Sequence, residues 1–387
     1  FEQTYIPPYP GDDGIAVGCC AYGLYGEGGE QAAPLWEEPL SPYMGPVYTD
    51  EDVLDALEAA SGWIEYEEVA DEERRIKDTA AAVAFGEVVA WWTGRSEAGP
   101  RALGHRSLLA DPRNASMVTL INSVIKHREA FRPFAPSVLA EHAHDWFESM
   151  PEGEAAAPIS PYMSVTVKVL PEKRSKIPSV THVDGTSRLQ TVTAAQEPLY
   201  YRLIAAFFAL TGVPMVLNTS FNTIRSEPIT ETPADAIRSF LATEGAVDRL
   251  VLSRWVVRRK PSPVLPPLDI DEVQLLVPVP AGPYQLETTE AVTDGYTAVT
   301  RVRLSMPASV RAVNDGWVQL TDSLESAVLE MCDGETIIGE IIQAFVEDGD
   351  FDEDVEEEDV MERLHHLYDN CLVSFQHVTA NEQLQLE

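Results

Sequence analysis

The chain has 387 residues, with 63 Asp and Glu against 27 Lys and Arg and a net charge of −36. So acidic a surface excludes a nucleic-acid partner, because a phosphate backbone has to be met by a basic patch, and no apolar run approaches the ~20 residues of a membrane span. The length allows two or three domains, 45% hydrophobic residues are ample for their cores, and the four cysteines, Cys19, Cys20, Cys332 and Cys371, lack metal-ligand spacing, which places the chain in a reducing cytoplasm.

In chain order, Pro7-Pro8-Tyr9-Pro10-Gly11-Asp12-Asp13-Gly14 is a Gly/Pro turn that enters a small-residue apolar run, read as a helix with an Asp able to cap it. Residues 49–86 are Glu-rich, with apolar residues at helical spacing over 53–57. Residues 88–92 are a short strand that feeds the loop Gly94-Arg95-Ser96-Glu97-Ala98-Gly99-Pro100-Arg101-Ala102-Leu103-Gly104-His105-Arg106-Ser107. The spacing predicts a helix over 117–126, ending on Lys126, and a second over 200–210. A buried strand at 215–217 opens into Asn218-Thr219-Ser220-Phe221-Asn222, and Thr232 caps a helix with Pro233 at its first position.

Beyond Val257 the texture changes. Residues 258–267 read as a basic, proline-rich linker that sustains neither helix nor central strand, its basic trio solvated. Short strands and turns follow over 273–284. A small α/β unit begins at Val302, with a strand at 318–321, a helix through Met331, helices over 337–345 and 359–369, and a strand at 372–375. The acidic run 347–359 is a solvated loop, since it lacks the Asp/Asn-Gly spacing of a calcium loop.

The loop at 94–107 carries the chemistry. Three arginines within twelve positions of a glycine-punctuated turn suit a phosphate or carboxylate, because a guanidinium donates two parallel hydrogen bonds and glycines let main-chain N–H groups approach the same anion. Lys126, Arg128 and Arg132 follow in Ile125-Lys126-His127-Arg128-Glu129-Ala130-Phe131-Arg132, and Asp184 and Arg188 in His182-Val183-Asp184-Gly185-Thr186-Ser187-Arg188-Leu189-Gln190. Strand ends that open into polar loops are where open α/β sheets place ligands. Each arginine also has a bland reading as an ion-pair partner among 63 acidic residues, Arg95 with Glu97 and Arg128 with Glu129 above all.

These segments, in this order over residues 88–257, resemble the C-terminal domain of the NodU/CmcH family of O-carbamoyltransferases. The resemblance implies an α/β (α+β) fold with a YrdC-like mixed sheet, over residues 87–257, that binds carbamoyl phosphate. It carries over Arg101, Lys126, Arg188, Asn218 and Ser220 as the catalytic set. Arg101, Lys126 and Arg188 would meet the phosphate, and Asn218 and Ser220 would donate to the carbamoyl oxygen. Arg95, Arg106, Arg128, Arg132 and Asp184 are further candidates for substrate binding.

Residues 1–86 are similar to the end of that family's actin-like ATPase-fold domain and the helices that follow it. There Asp12 would be a ligand of a divalent metal, iron or magnesium, and Gly11 and Asp13 would adjoin ATP. The family's remaining metal ligands, two histidines, have no counterpart here, so a fragment or one half of a split enzyme with a complementary N-terminal subunit is expected. Its implied chemistry is formation of carbamoyl-adenylate from carbamoyl phosphate and ATP, then transfer to a hydroxyl-bearing small-molecule natural product. After the linker at 258–301, residues 302–387 are similar to winged-helix PqqD-type domains, which implies a peptide or carrier as a further partner. The competing expectation is a non-catalytic peptide-binding or scaffolding protein that keeps the fold.

Overall fold

The structure, a computed structural model, describes residues 6–24, 41–148, 150, 160–225, 227–262, 274, 276–281, 284–291, 297–304, 317–347 and 355–377. The chain forms two compact units, residues 1–53, 66–236 and 245–257 in one, and 54–65, 237–244 and 258–387 in the other. No helix among the described residues is long and apolar enough to cross a membrane.

A mixed sheet dominates the first unit. Its strands are β1 (Ile64–Glu68), β2 (Val89–Trp92), β3 (Arg106–Ala110), β4 (Ala135–Leu139), β5 (Val165–Lys168), β6 (Thr186–Val192), β7 (Met215–Ser220), β8 (Arg249–Leu252) and β9 (Trp255–Arg259). They lie in the order β1-β9-β8-β2-β3-β7-β4-β6-β5. The pairs β2–β8 and β4–β6 are parallel, while β3–β7 and β4–β7 are antiparallel, so the fold is α/β with a mixed sheet, as expected. β2, β3 and β4 are buried at every position, which explains why β2 reads as a continuous apolar run and not as alternation, while β3 and β4 bury Arg106, Ser107 and Ser137 among their apolar residues.

The helices are α1 (Asp12–Tyr22), α2 (Asp50–Ala59), α3 (Glu72–Ala84), the short α4 (Met117–Thr119), α5 (Pro198–Thr211) and α6 (Pro233–Leu241). Asp71 caps α3 by accepting the Arg74 N–H, and Pro198 opens α5, which Gly212 closes at φ 71°. These two helices pack together through buried faces that include Ile76 and Val83 on one and Leu203 and Phe207 on the other. Thr232 and Asp235 form a reciprocal cap at the start of α6.

In the second unit, β10 (Leu276–Pro280) pairs antiparallel with β14 (Val373–His377), and β11 (Tyr284–Ala291), β12 (Thr297–Leu304) and β13 (Trp317–Gln319) form an antiparallel sheet. Helices α7 (Ser323–Met331), α8 (Ile338–Ile342) and α9 (Glu357–Asp369) lie where the apolar spacing placed them. The linker reading of Arg258 and Arg259 is corrected: β9 runs through both. Arg259 is no solvated charge, for it donates to Leu241 O at 2.9 Å and pairs with Asp369 Oδ1 at 2.7 Å. Glu325, fully buried, accepts from Thr321 and from His366 Nδ1, a pairing that no spacing in the sequence signals.

Candidate functional site

The alternation of side chains along strands builds the site. Asn218 and Ser220 are two apart on β7, Arg188 and Gln190 two apart on β6, and Ala135 and Ser137 two apart on β4. In the ladder Asn218 faces Ala135 and Ser137 faces Gln190, so one face of three neighbouring strands carries all six. Pro100, Arg101 and Ala102 join this face from the loop before β3. Together with Arg128, Pro133, Phe134, Met163 and Thr219 they enclose a cavity of about 90 Å³ lined by Arg101, Arg128, Arg188, Asn218 and Ser220.

Four of the five residues expected to be catalytic therefore meet in one cavity, with Arg128 beside them. None of the three arginines makes an ion pair among the described residues. Arg101 donates to the carbonyl of Pro100, Arg128 Nε donates to Asn122 Oδ1 at 2.7 Å and lies over the Phe134 ring, and the buried Arg188 Nε has no partner. Burial, and then the charge of Arg101, push Arg188 down to about 10. Three cations thus line one cavity that no carboxylate lines, in a chain of net charge −36, an arrangement chemically suited to an anion.

The fifth residue, Lys126, lies beneath Ser220. The helix that carries it starts as α4 and ends in a π-helical turn, Leu120–Ile125, with Lys126 as its cap. Nζ donates to Ser220 O at 2.7 Å, Ser220 Oγ at 3.2 Å, Asn222 O at 3.1 Å and Asn222 Oδ1 at 2.8 Å. Burial, reinforced by the charge of Arg128 and opposed by Glu227, pushes Lys126 down to about 7. His127, at φ 46°, turns the chain so that Lys126 points inward while Arg128 reaches the cavity. Met163 on the cavity wall also has a positive φ, 55°. Such conformations cost about 1–3 kcal/mol and cluster at functional sites.

Asn218 and Ser220 do not present the free donors expected of them. Asn218 Nδ2 is already engaged with Ala102 O, Ser137 Oγ and Gln190 Oε1, which leaves its buried Oδ1 without a partner. The Ser220 hydroxyl donates to Asn222 Oδ1. Both Asn222 and Gln190 escaped the sequence reading. The first follows Ser220 by two positions and the second follows Arg188 by two, so strand alternation from the residues already singled out would have found them. Gln190 also borders a second cavity of about 330 Å³, lined by Tyr43, Tyr162, Gln196 and Glu197 among others.

The other candidates lie elsewhere. Arg106 is fully buried over the Trp92 ring, its guanidinium taken by Thr93 O, Gly94 O and Glu231, so it shapes the fold and does not reach the cavity. Arg95 donates to Gly45 O and does not pair with Glu97. Glu97 Oε1 instead accepts from the N–H groups of Leu103, His105 and Arg106 and so folds the arginine loop. Gly104, at φ 112°, lets that loop pass the Tyr200 ring, which a Cβ would meet at 2.3 Å. Arg132 pairs with Glu129 at 3.0 Å, and the exposed Asp184 accepts from Thr186 to close a turn.

Gly11 caps α1 through backbone alone, and Asp12 is the exposed first residue of that helix. The Asp13 side chain lies outside the described ones. Among the described residues no group of three or more His, Cys, Asp or Glu could hold a metal ion.

Residues 80–259 match the protein family described as "Carbamoyltransferase C-terminus". The chain is 38% identical over 343 residues to Nodulation protein NolNO of Sinorhizobium fredii (strain NBRC 101917 / NGR234), covering 88% of this chain and 47% of that one. It is 35% identical over 355 residues to Nodulation protein NolO of Bradyrhizobium diazoefficiens, covering 88% and 61%. It thus spans less than two thirds of the length of these curated relatives. Among solved structures, full-length HypF in its phosphate- and nucleotide-bound form aligns at a TM-score of 0.30 and 12% identity, over 80% of this chain and 34% of that chain, too slight a likeness to carry an argument. The cavity and every strand that builds it fall inside residues 80–259, the span that matches the carbamoyltransferase C-terminal family.

Proposed function

We propose that the cavity binds carbamoyl phosphate and that this chain is the carbamoyl-phosphate-handling part of an O-carbamoyltransferase. The observation that carries the reading is the meeting of Arg101, Arg128 and Arg188, without carboxylate partners, at the ends of β6 and β7. Their guanidiniums hold the phosphate dianion and stabilise the charge that develops on it as the acyl–phosphate bond breaks, a contribution of roughly 3 kcal/mol per preorganised donor. Lys126 holds the Ser220–Asn222 turn in place and, poised near 7, takes on its proton when phosphate arrives beside it.

In this reading water cleaves carbamoyl phosphate to carbamate and phosphate, and a carbamate oxygen attacks the α-phosphate of ATP to give carbamoyl-adenylate with release of pyrophosphate. A hydroxyl of a small-molecule natural product then takes the carbamoyl group, with AMP as the leaving group. The phosphate end of this chemistry is the part supported by the cavity residues Arg101, Arg128 and Arg188. The test is competition binding: carbamoyl phosphate and inorganic phosphate should displace one another. Arg101→Ala and Arg188→Ala should each weaken both by about 1.5–3 kcal/mol. Arg132→Ala should leave both unchanged. Equal losses at all three positions would mean that bulk charge, and not this cavity, governs the anion.

A further inference from the structure

We propose that Gln190 is a positioning residue that fixes which way the Asn218 amide points. The cavity then requires an N–H donor on the acyl carbon of its ligand and selects carbamoyl over acetyl phosphate. The inference rests on the reading of the cavity as an acyl-phosphate site and names what discriminates within it.

The polarity follows from two main-chain carbonyls, Leu103 O acting through Gln190 and Ala102 O acting directly. Leu103 O can only accept, so the Gln190 atom 2.8 Å from it is Nε2, and Oε1 faces the other way. That oxygen takes the Ser137 hydroxyl proton at 2.6 Å, which leaves Ser137 Oγ with lone pairs toward Asn218. The Asn218 amide group thus confronts three acceptors, Ala102 O at 3.1 Å, Ser137 Oγ at 3.0 Å and Gln190 Oε1 at 3.2 Å, and only its NH₂ end can face them. Turning the amide over would set Oδ1 against three oxygens. Oδ1 is consequently the end left over, buried and without a partner, on a residue 1% exposed that lines the cavity.

The cavity is lined by Arg101, Arg128 and Arg188, which lack carboxylate partners, and by Asn218, whose Oδ1 has no hydrogen-bond partner; the proposal sets the acyl group of the ligand against that oxygen. A ligand that satisfies both carries a phosphate and, next to it, a group with an N–H. The carbamoyl NH₂ is such a group, whereas the acetyl CH₃ has nearly the same size and no hydrogen to donate. A buried acceptor left unpaired by the wrong ligand discriminates by about 10- to 100-fold.

The experiment compares the affinities of carbamoyl phosphate, acetyl phosphate and inorganic phosphate for the full chain and for Gln190→Met. Wild type should bind carbamoyl phosphate about 10- to 100-fold more tightly than acetyl phosphate. Gln190→Met removes one of the three acceptors and releases the Ser137 hydroxyl to donate toward Asn218, so that only Ala102 O still opposes turning of the amide. The variant should bring the carbamoyl-to-acetyl ratio to within about threefold while inorganic phosphate, which has no acyl group, binds as before. Equal wild-type affinity for the two acyl phosphates overturns the proposal and leaves the anion site standing, and needs no variant to be seen. An unchanged ratio in folded Gln190→Met overturns the role of Gln190. Failure of all three phosphates to bind overturns the acyl-phosphate reading itself.

Discussion

Arg188→Met should raise the stability of the ligand-free protein and abolish most of its phosphate affinity, two changes of opposite sign from one substitution. Burial and the adjacent Arg101 hold the guanidinium at about 10, well below its ordinary value. A displacement of that size corresponds to at most ~3 kcal/mol of strain in the charged form. Partial solvent contact reduces it to about 1–2 kcal/mol. Methionine keeps the apolar stem and removes the strain, so Tm should rise by about 2–6 °C. Phosphate affinity should fall about 10- to 100-fold, since a charge-assisted hydrogen bond to the anion is lost. Differential scanning calorimetry and a phosphate titration on the same preparation read both. A drop in Tm with affinity intact would refute the reasoning, for Arg188 would then be a structural cation.

Three further expectations follow from the same geometry. Lys126 at about 7 in the fold lies below the ~10.4 of an unfolded lysine, so between these values the unfolded chain holds the extra proton and stability rises with pH; Lys126→Met should flatten that rise in pH-dependent urea unfolding. Phosphate bound beside Ser220 favours the ammonium, so binding at pH 8 should take up a proton, visible as a dependence of calorimetric heat on buffer ionisation enthalpy. Arg106→Met, which strips donors from Thr93 O and Gly94 O and a partner from Glu231, should destabilise by about 3–5 kcal/mol in urea unfolding while phosphate affinity of the folded fraction stays unchanged. Burial pulls His105 down, but the hydrogen bond and charge of Glu197, with Glu97, outweigh it and raise its value. Its contribution is then complete below about 6.5 and lost as pH rises through the folded value, a decline that His105→Asn should lack.

The strands and helices around the cavity were legible because each announces itself locally. Pro198 and Gly212 bracket α5, Thr232 and Pro233 open α6, and the apolar run 215–217 is too short and too flanked by polar residues to be a helix. The arginines were legible as phosphate-binding types, but not which of them would converge. Arg106 and Arg101 share a loop, yet Arg106 begins β3 and is drawn under the sheet by Trp92 and the carbonyls of Thr93 and Gly94, while Arg101 stays at the strand ends. That choice depends on tertiary partners far apart in sequence.

The direction of an amide was illegible for a similar reason. Asn218 reads as a donor or an acceptor with equal ease in one dimension, and Ala102 O, together with Leu103 O acting through Gln190, decides between them. Arg259 was misread because a basic residue before a proline-rich stretch resembles a linker, whereas β9 reaches it and Leu241 O and Asp369 hold its guanidinium.

The central claim, that Arg101, Arg128 and Arg188 form a carbamoyl-phosphate site, is tested most directly by the ³¹P NMR signal of carbamoyl phosphate titrated with the full chain. A carbamoyl-phosphate site requires a saturable shift or broadening that inorganic phosphate reverses and that the Arg101→Ala, Arg188→Ala double variant lacks. A signal unmoved by millimolar folded protein, or moved equally by the double variant, would contradict it.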